Sequence, residues 1–257
     1  MPLRIAFDMD GVLADFDTAF RDVELRLFPQ EPAPVEKPEE RADAEARGQR
    51  SAARDEGRKN ENQANQANQE NQGNQGNQAN LARPRVPTRR KMDVVWGEIE
   101  ATKDFWTTLK PTDPRAVARI QEMTIRHGWE VFFITQRPKT EGDTVQRQTQ
   151  QWLVAQGFAW PSVLVMPGSR GKAAAALHLD CIVDDSPKNC VDVLSDSKAR
   201  ALLVMGDDDE RTITSARRLG IGVAKSIAEA LDFLEEATEV RDQPSMFGKL
   251  ARLVGWK

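Results

Sequence analysis

The sequence predicts a doubly wound α/β domain, a Rossmann-like parallel sheet covered by helices on both faces. Three observations point there. Short apolar runs recur along the chain and alternate with segments whose apolar residues fall on one helical face. Those runs are nearly continuous in Val, Ile, Leu and Phe, as expected of strands buried on both sides. Each run stops at a cluster of polar residues, and in such sheets ligands bind beyond the carboxyl ends of the strands.

The first run, Leu3-Arg4-Ile5-Ala6-Phe7, ends at Asp8-Met9-Asp10-Gly11. Phe16, Phe20, Val23 and Leu27 then share a helical face, and Pro29 stops it. From Arg89, Val94, Val95, Trp96 and Ile99 predict a second short helix before Phe105-Trp106. Asp113 and Pro114 read as the cap and first position of a helix with Val117, Ile120 and Met123 inward, closed by Gly128. Strand Val131 to Ile134 leads to Thr135-Gln136-Arg137-Pro138, and a helix through Val145, Trp152 and Leu153 ends at Gly157. Strand Val163 to Met166 leads to Gly168-Ser169-Arg170-Gly171-Lys172 and an alanine-rich helix. Strand Cys181 to Val183 runs into Asp184-Asp185-Ser186-Pro187, with Ser186 the expected cap. Two more strands, Ala201 to Met205 and Ile221 to Ala224, precede a last helix opened by the capping box of Ser226 and Glu229.

Between the first two helices the composition changes. Alanine aside, residues 29–80 hold a single apolar side chain, Val35, and Asn-Gln-x recurs six times from Asn62 to Ala79. A period of three with no apolar face builds neither a heptad nor a solenoid, so disorder is expected. The expected organisation is a core of residues 1–15 and 107–240, and a small helical cap of 16–30 and 89–106. The low-complexity insert at 31–88 interrupts that cap, and residues 241–257 form a tail. The tail is amphipathic and locally basic, with docking on its own domain, a partner or a weak membrane contact as its readings.

A net charge of −4 at pH 7 argues against a protein that coats nucleic acid. The sequence has no 18-residue apolar run and no signal-peptide pattern, and its two cysteines make no disulfide framework. The expected setting is cytoplasmic. With His127 and His178 the only histidines, acid–base work falls to carboxylates and lysines.

Asp8, Asp10, Thr135, Lys172, Asp184 and Asp185 therefore stand at four strand ends. Carboxylates converging on one crevice repel unless a hard cation such as Mg²⁺ joins them. Asp8 is the candidate nucleophile toward phosphorus, and Asp10 the group that protonates the leaving oxygen and later activates water. Thr135 and the backbone N–H groups of Gln136 and Arg137 are placed to hold phosphoryl oxygens, with Lys172 as the neutralising cation.

Asp8-Met9-Asp10-Gly11-Val12-Leu13-Ala14-Asp15 resembles the first motif of the haloacid dehalogenase (HAD) superfamily in its phosphatase form. Thr135, Lys172 and Asp184-Asp185 resemble its second, third and fourth motifs. Within that superfamily the opening is most similar to the 5′(3′)-deoxyribonucleotidases. The resemblance implies an aspartyl-phosphate route on a nucleotide or another small phosphometabolite. It implies magnesium held by Asp8, the Asp10 backbone carbonyl and either Asp184 or Asp185, and a nucleobase near Phe16, Phe105 and Trp106. Other readings are a polynucleotide-end phosphatase, since that group shares a turn like Thr135 to Pro138, a binding scaffold on the same fold, and, ranked low, a dehalogenase.

Overall fold

A computed structural model describes residues 2–29, 89–206 and 209–241. The Asn-Gln repeat, the rest of the 31–88 insert and the tail from residue 242 lie outside the described residues. The chain divides into two units, Met1–Leu27 with Arg89–Lys257, and Phe28–Thr88; the first carries the sheet and every helix described here.

The first unit runs β1 (Arg4–Asp8), α1 (Phe16–Leu27), α2 (Arg89–Ala101), a 3₁₀ turn (Phe105–Thr107) and α3 (Ala116–His127). It continues with β2 (Glu130–Thr135), α4 (Val145–Ala155), β3 (Ser162–Val165), α5 (Arg170–Ala176) and β4 (Cys181–Asp184). It closes with α6 (Pro187–Asp196), β5 (Arg200–Val204), α7 (Glu210–Leu219), β6 (Gly222–Ala224) and α8 (Ile227–Arg241). The six strands are parallel in the order β3-β2-β1-β4-β5-β6. The order reverses between β1 and β4, and a crevice opens at such a switch point.

Side chains alternate between the two faces of each strand. Ala6, Ile134, Ile182 and Leu203 pack on one face with Ala173 and Ala174 of α5 and Cys190 and Val193 of α6. On the strand positions between them, Phe7 and Phe133 lie with ring centroids 6.3 Å apart, and Phe158 meets Phe133 edge-on at 4.9 Å. Burying a side chain of this size contributes about 1.5–3 kcal/mol, so the sheet centre anchors everything at its edges.

Most boundaries agree with the periodicity within a residue. Ser186 caps α6 ahead of Pro187, and Gly128 closes α3 at a φ of 68°. The exception is the start of α3, which begins at Ala116 rather than at Pro114. The Asp113 carboxylate accepts from the Arg115 N–H at 2.8 Å, and its carbonyl from the Ala116 N–H. Asp113 and Pro114 thus form a turn ahead of the helix. In α8 Glu229 folds back onto the Lys225 N–H, one residue earlier than the Ser226 N–H of a standard capping box.

α1 and α2 pack against each other. Phe16 stacks on Trp96 at 5.4 Å, Phe20 meets the same indole at 5.5 Å, and Arg26 pairs with Glu98. After α2 the chain is tied to the loop behind β2. The Glu141 N–H donates to Glu100, the Asp104 N–H to Glu141, and the Asp104 carboxylate accepts from the Asp143 N–H.

Candidate active site

Register brings the first two carboxylates together. Phe7 is level with Val183 across the β1–β4 pair, so the next residues, Asp8 and Asp184, end neighbouring strands side by side. Both are two residues beyond a member of the α5–α6 face, after Ala6 and Ile182, and therefore point to that face. Ser169 caps α5 there by accepting from the Lys172 N–H, which sets Arg170 in the first helical turn above them.

Arg170 is the cation that reaches the cluster. Its Nη2 donates to Asp8 Oδ1 at 2.7 Å, and its Nε stands 3.6 Å from Asp184 Oδ2. The residue is 4% exposed, and its Nε and Nη1 have no hydrogen-bond partner among the described residues. Lys172, expected from the sequence to fill this role, is exposed on α5 and is not brought to the carboxylates. Two residues along an α-helix is a turn of about 200°, so cations at 170 and 172 face nearly opposite ways. Gly171 fixes which one faces inward. A β-carbon there would lie 2.0 Å from the Asp192 carbonyl of α6, so this face of α5 is pressed against α6.

Asp184 is fully buried and already well supplied with donors. The Asn189 amide reaches both its oxygens at 3.0 and 3.1 Å, and the Ser186 N–H reaches Oδ1 at 2.9 Å. Asp185 is half-buried on the other side, against the turn after β1. Gly11 makes that turn at a φ of 81°, and a β-carbon on it would stand 2.0 Å from Asp185 Oδ2. The turn is tightened by the Met9 carbonyl, which accepts from both Leu13 and Ala14 N–H groups.

Asp10 turns toward β2. Arg137 grips it with Nε at 2.9 and 3.1 Å from its two oxygens and Nη2 at 2.6 Å, and the Thr135 hydroxyl approaches at 3.4 Å. Arg137 is itself buried. Its Nη1 donates to Thr149 Oγ1 at 3.0 Å, and its guanidinium lies 4.8 Å from the Trp106 ring. Gln136 is exposed beside it.

The electrostatics follow from burial and crowding. Burial, then the Asp184 carboxylate, push the Asp8 carboxyl well above its ordinary range, against the pull of Arg170. Burial also raises Asp184, which its Ser186 and Asn189 donors oppose. Burial and the charge of Asp184 lift Asp185 to about 6. Burial is the leading cause of all three shifts, with carboxylate neighbours adding to it at Asp8 and Asp185.

Among the described residues no three His, Cys, Asp or Glu side chains are grouped to hold a metal by themselves. Mg²⁺ does not require three, because it keeps waters and takes one or two carboxylates with phosphate oxygens. The second oxygen of Asp8 accepts no hydrogen bond from the described residues, whereas the oxygens of Asp184 are engaged. The second oxygen of Asp8 and the half-buried Asp185 carboxylate are the groups left to meet such an ion.

The aromatic residues divide. Phe105 and Trp106 are both buried, and the Trp106 indole donates to the Pro138 carbonyl at 3.0 Å. Phe16 is half-buried, stacked on Trp96 and tilted against Trp106, with ring centroids 5.4 and 5.7 Å away.

No family model matches the sequence, and no curated protein matches it. Solved structures do resemble it. A HAD family hydrolase from Deinococcus radiodurans R1 with bound phosphate and sodium is 16% identical over 92% of this chain and 96% of that one, with a TM-score of 0.47. A putative beta-phosphoglucomutase from Thermotoga maritima is 15% identical over 91% and 99%, with a TM-score of 0.49. An L-2-haloacid dehalogenase is 12% identical over 91% and 100%, with a TM-score of 0.45. At identities of 12–16% and TM-scores below 0.5 these likenesses carry no argument about chemistry, which rests on the chain's own side chains.

Proposed function

We propose that this chain is a magnesium-dependent phosphomonoesterase of the HAD type, with Asp8 as its nucleophile. The observation that carries this reading is Arg170. This buried guanidinium beside Asp8 leaves Nη1 without a hydrogen bond and Nε only at ion-pair distance from Asp184, and a buried donor left unsatisfied costs about 1–3 kcal/mol. An oxyanion with several acceptor oxygens, seated against Asp8, gives such donors a partner, and a phosphoryl group is such an anion.

Asp8, on this reading, attacks phosphorus in line with the leaving oxygen while Arg170 offsets charge on the phosphoryl group. Thr135 and the backbone N–H groups of Gln136 and Arg137 hold phosphoryl oxygens. Asp10 gives a proton to the leaving oxygen, then takes one from the water that frees Asp8. Magnesium, held by Asp8, the Asp10 carbonyl and Asp185, supplies further neutralisation of the phosphoryl oxygens when bound. Asp10 also favours a phosphatase over a dehalogenase, since expelling halide needs no proton donor.

For the substrate we favour a nucleotide or another small phosphometabolite. What supports this reading is a run of contacts from the half-buried Phe16 through the buried Trp106 and Arg137 to Asp10.

The test is release of inorganic phosphate with Mg²⁺, wild type against Asp8→Asn. The panel spans deoxyribonucleotides, ribonucleotides, sugar phosphates and a 3′-phosphorylated oligonucleotide. Turnover lost with Asp8 or with the cation supports the mechanism, and the preferred compound names the substrate class. Turnover persisting in Asp8→Asn sinks it.

A further inference from the structure

Asp10 is expected to serve twice, as proton donor and then as proton acceptor, and the structure fixes the direction in which its carboxyl faces. Arg137 approaches both Asp10 oxygens, with Nε 2.9 Å from Oδ2 and Nη2 2.6 Å from Oδ1. A guanidinium has only donors, so a carboxylate accepting on both oxygens satisfies it. The Thr135 hydroxyl stands 3.4 Å from Oδ2. The carboxyl is therefore held in one orientation.

Arg137 is held in turn. Its side chain is 1% exposed, Nη1 is fixed by Thr149 Oγ1, and the Trp106 ring covers the guanidinium. Thr149 is fully buried and spends its own proton on the Val145 carbonyl at 2.8 Å, so its oxygen is free to accept from Arg137. Trp106 is fixed from both sides, by the Gln148 side chain at its N–H and by Pro138 at its indole. This framework leaves the guanidinium little freedom to swing.

We propose that Arg137 is a positioning residue that holds the Asp10 carboxyl in line for its proton transfers, among them the one from the water that hydrolyses the phosphorylated Asp8. The inference rests on the phosphatase reading above. In that step the water oxygen bonds to phosphorus as the bond from phosphorus to the Asp8 oxygen breaks. The electron pair of that bond stays on Asp8 and restores its carboxylate. The water proton passes to Asp10, and phosphate departs. Asp10 then carries the proton that the next leaving oxygen takes.

The experiment uses the full chain with Mg²⁺ and p-nitrophenyl phosphate, whose leaving group departs without a proton. Arg137→Gln should lower steady-state kcat on the order of 10²-fold. It should lower KM along with kcat so that kcat/KM is unchanged, keep a first-turnover burst of p-nitrophenol, and accumulate phosphorylated protein that acid quench and intact-mass measurement reveal. Thr149→Val, close in shape, should show the same accumulation with kcat down about two- to tenfold. This second variant decides the matter if Arg137→Gln melts below the assay temperature. A raised KM with no trapped phosphoprotein in either variant overturns the inference and makes Arg137 a substrate contact. Loss of the burst in step with kcat overturns it too. Both outcomes leave the phosphatase reading standing while turnover still depends on Asp8.

Discussion

Gly11 and Asp185 occupy one another's space: a β-carbon on Gly11 would lie 2.0 Å from Asp185 Oδ2 and 2.6 Å from its carboxyl carbon. The turn that follows Asp8 is therefore shaped against the acidic pair that follows β4. The φ of 81° at Gly11 disfavours any side chain there besides. Gly11→Ala should keep the fold and misplace Asp185. Its effect on turnover is expected to be on the order of 10²-fold, the usual cost of an ångström's displacement at a reacting centre. Steady-state kinetics with a melting curve on the same sample checks this; full activity would show that Asp185 moves without consequence.

Arg170 and Lys172 make a matched pair of substitutions. Arg170→Met should cut kcat on the order of 10²–10³-fold, as removal of one preorganised donor at developing charge does. Lys172→Ala, on the exposed side of α5, should stay within about twofold of wild type. The reverse ranking would return the cationic role to Lys172.

Asp185 gives a pH dependence with a definite sign. Its carboxyl is raised in the folded protein to about 6, against an ordinary 3.8. The folded chain thus holds a proton more tightly than the unfolded one. This contribution is fully present below the unfolded value and is lost as pH rises through the folded one. Chelator-treated protein should gain melting temperature from this group as pH falls from 7.5 to 5.5. The gain should shrink in Asp185→Asn and when excess Mg²⁺ occupies the site. An identical pH response in Asp185→Asn would refute the assignment.

Two glycines test packing. Gly171→Ala would set a β-carbon 2.0 Å from the Asp192 carbonyl, and overpacking of that kind costs about 1–3 kcal/mol. The melting temperature should fall by roughly 2–4 °C for each kcal/mol at this size. Gly97, inside α2, has nothing within 4 Å of its would-be β-carbon, so Gly97→Ala should stabilise by about 0.5–1 kcal/mol. Differential scanning calorimetry on both variants would show the opposite signs.

The sheet was legible because its strands are apolar and uninterrupted, and each stops at a polar cluster that marks its end. Ser186 before Pro187, and Gly128 after His127, were legible because capping chemistry is local. The Arg170 assignment was not. Ser-Arg-Gly-Lys offers two cations two residues apart, and only the helix's rotation chooses between them. That rotation is fixed by a backbone contact between Gly171 and Asp192, a long-range fact with no periodic trace. The grip of Arg137 on Asp10 was hidden for the same reason, because it joins the ends of two strands through side-chain length rather than spacing. Asp113 and Pro114 misled in the opposite way, since the same pair that can open a helix can also make the turn before one.

The pairing of β1 with β4 has a consequence in time. The Arg4 N–H donates to the Asp180 carboxylate, 176 residues later, at the base of the strand pair that carries Asp8 and Asp184 at its other end. A ribosome adding about 5–20 residues each second needs roughly 10–35 s to bring the second strand out after the first. Through that interval the nascent chain exposes Asp8 and Asp10 to solvent with no facing carboxylate to repel them. The crowding of acids that defines the crevice arises only when β4 inserts, and Arg170, eleven residues ahead of Cys181, has by then already been made.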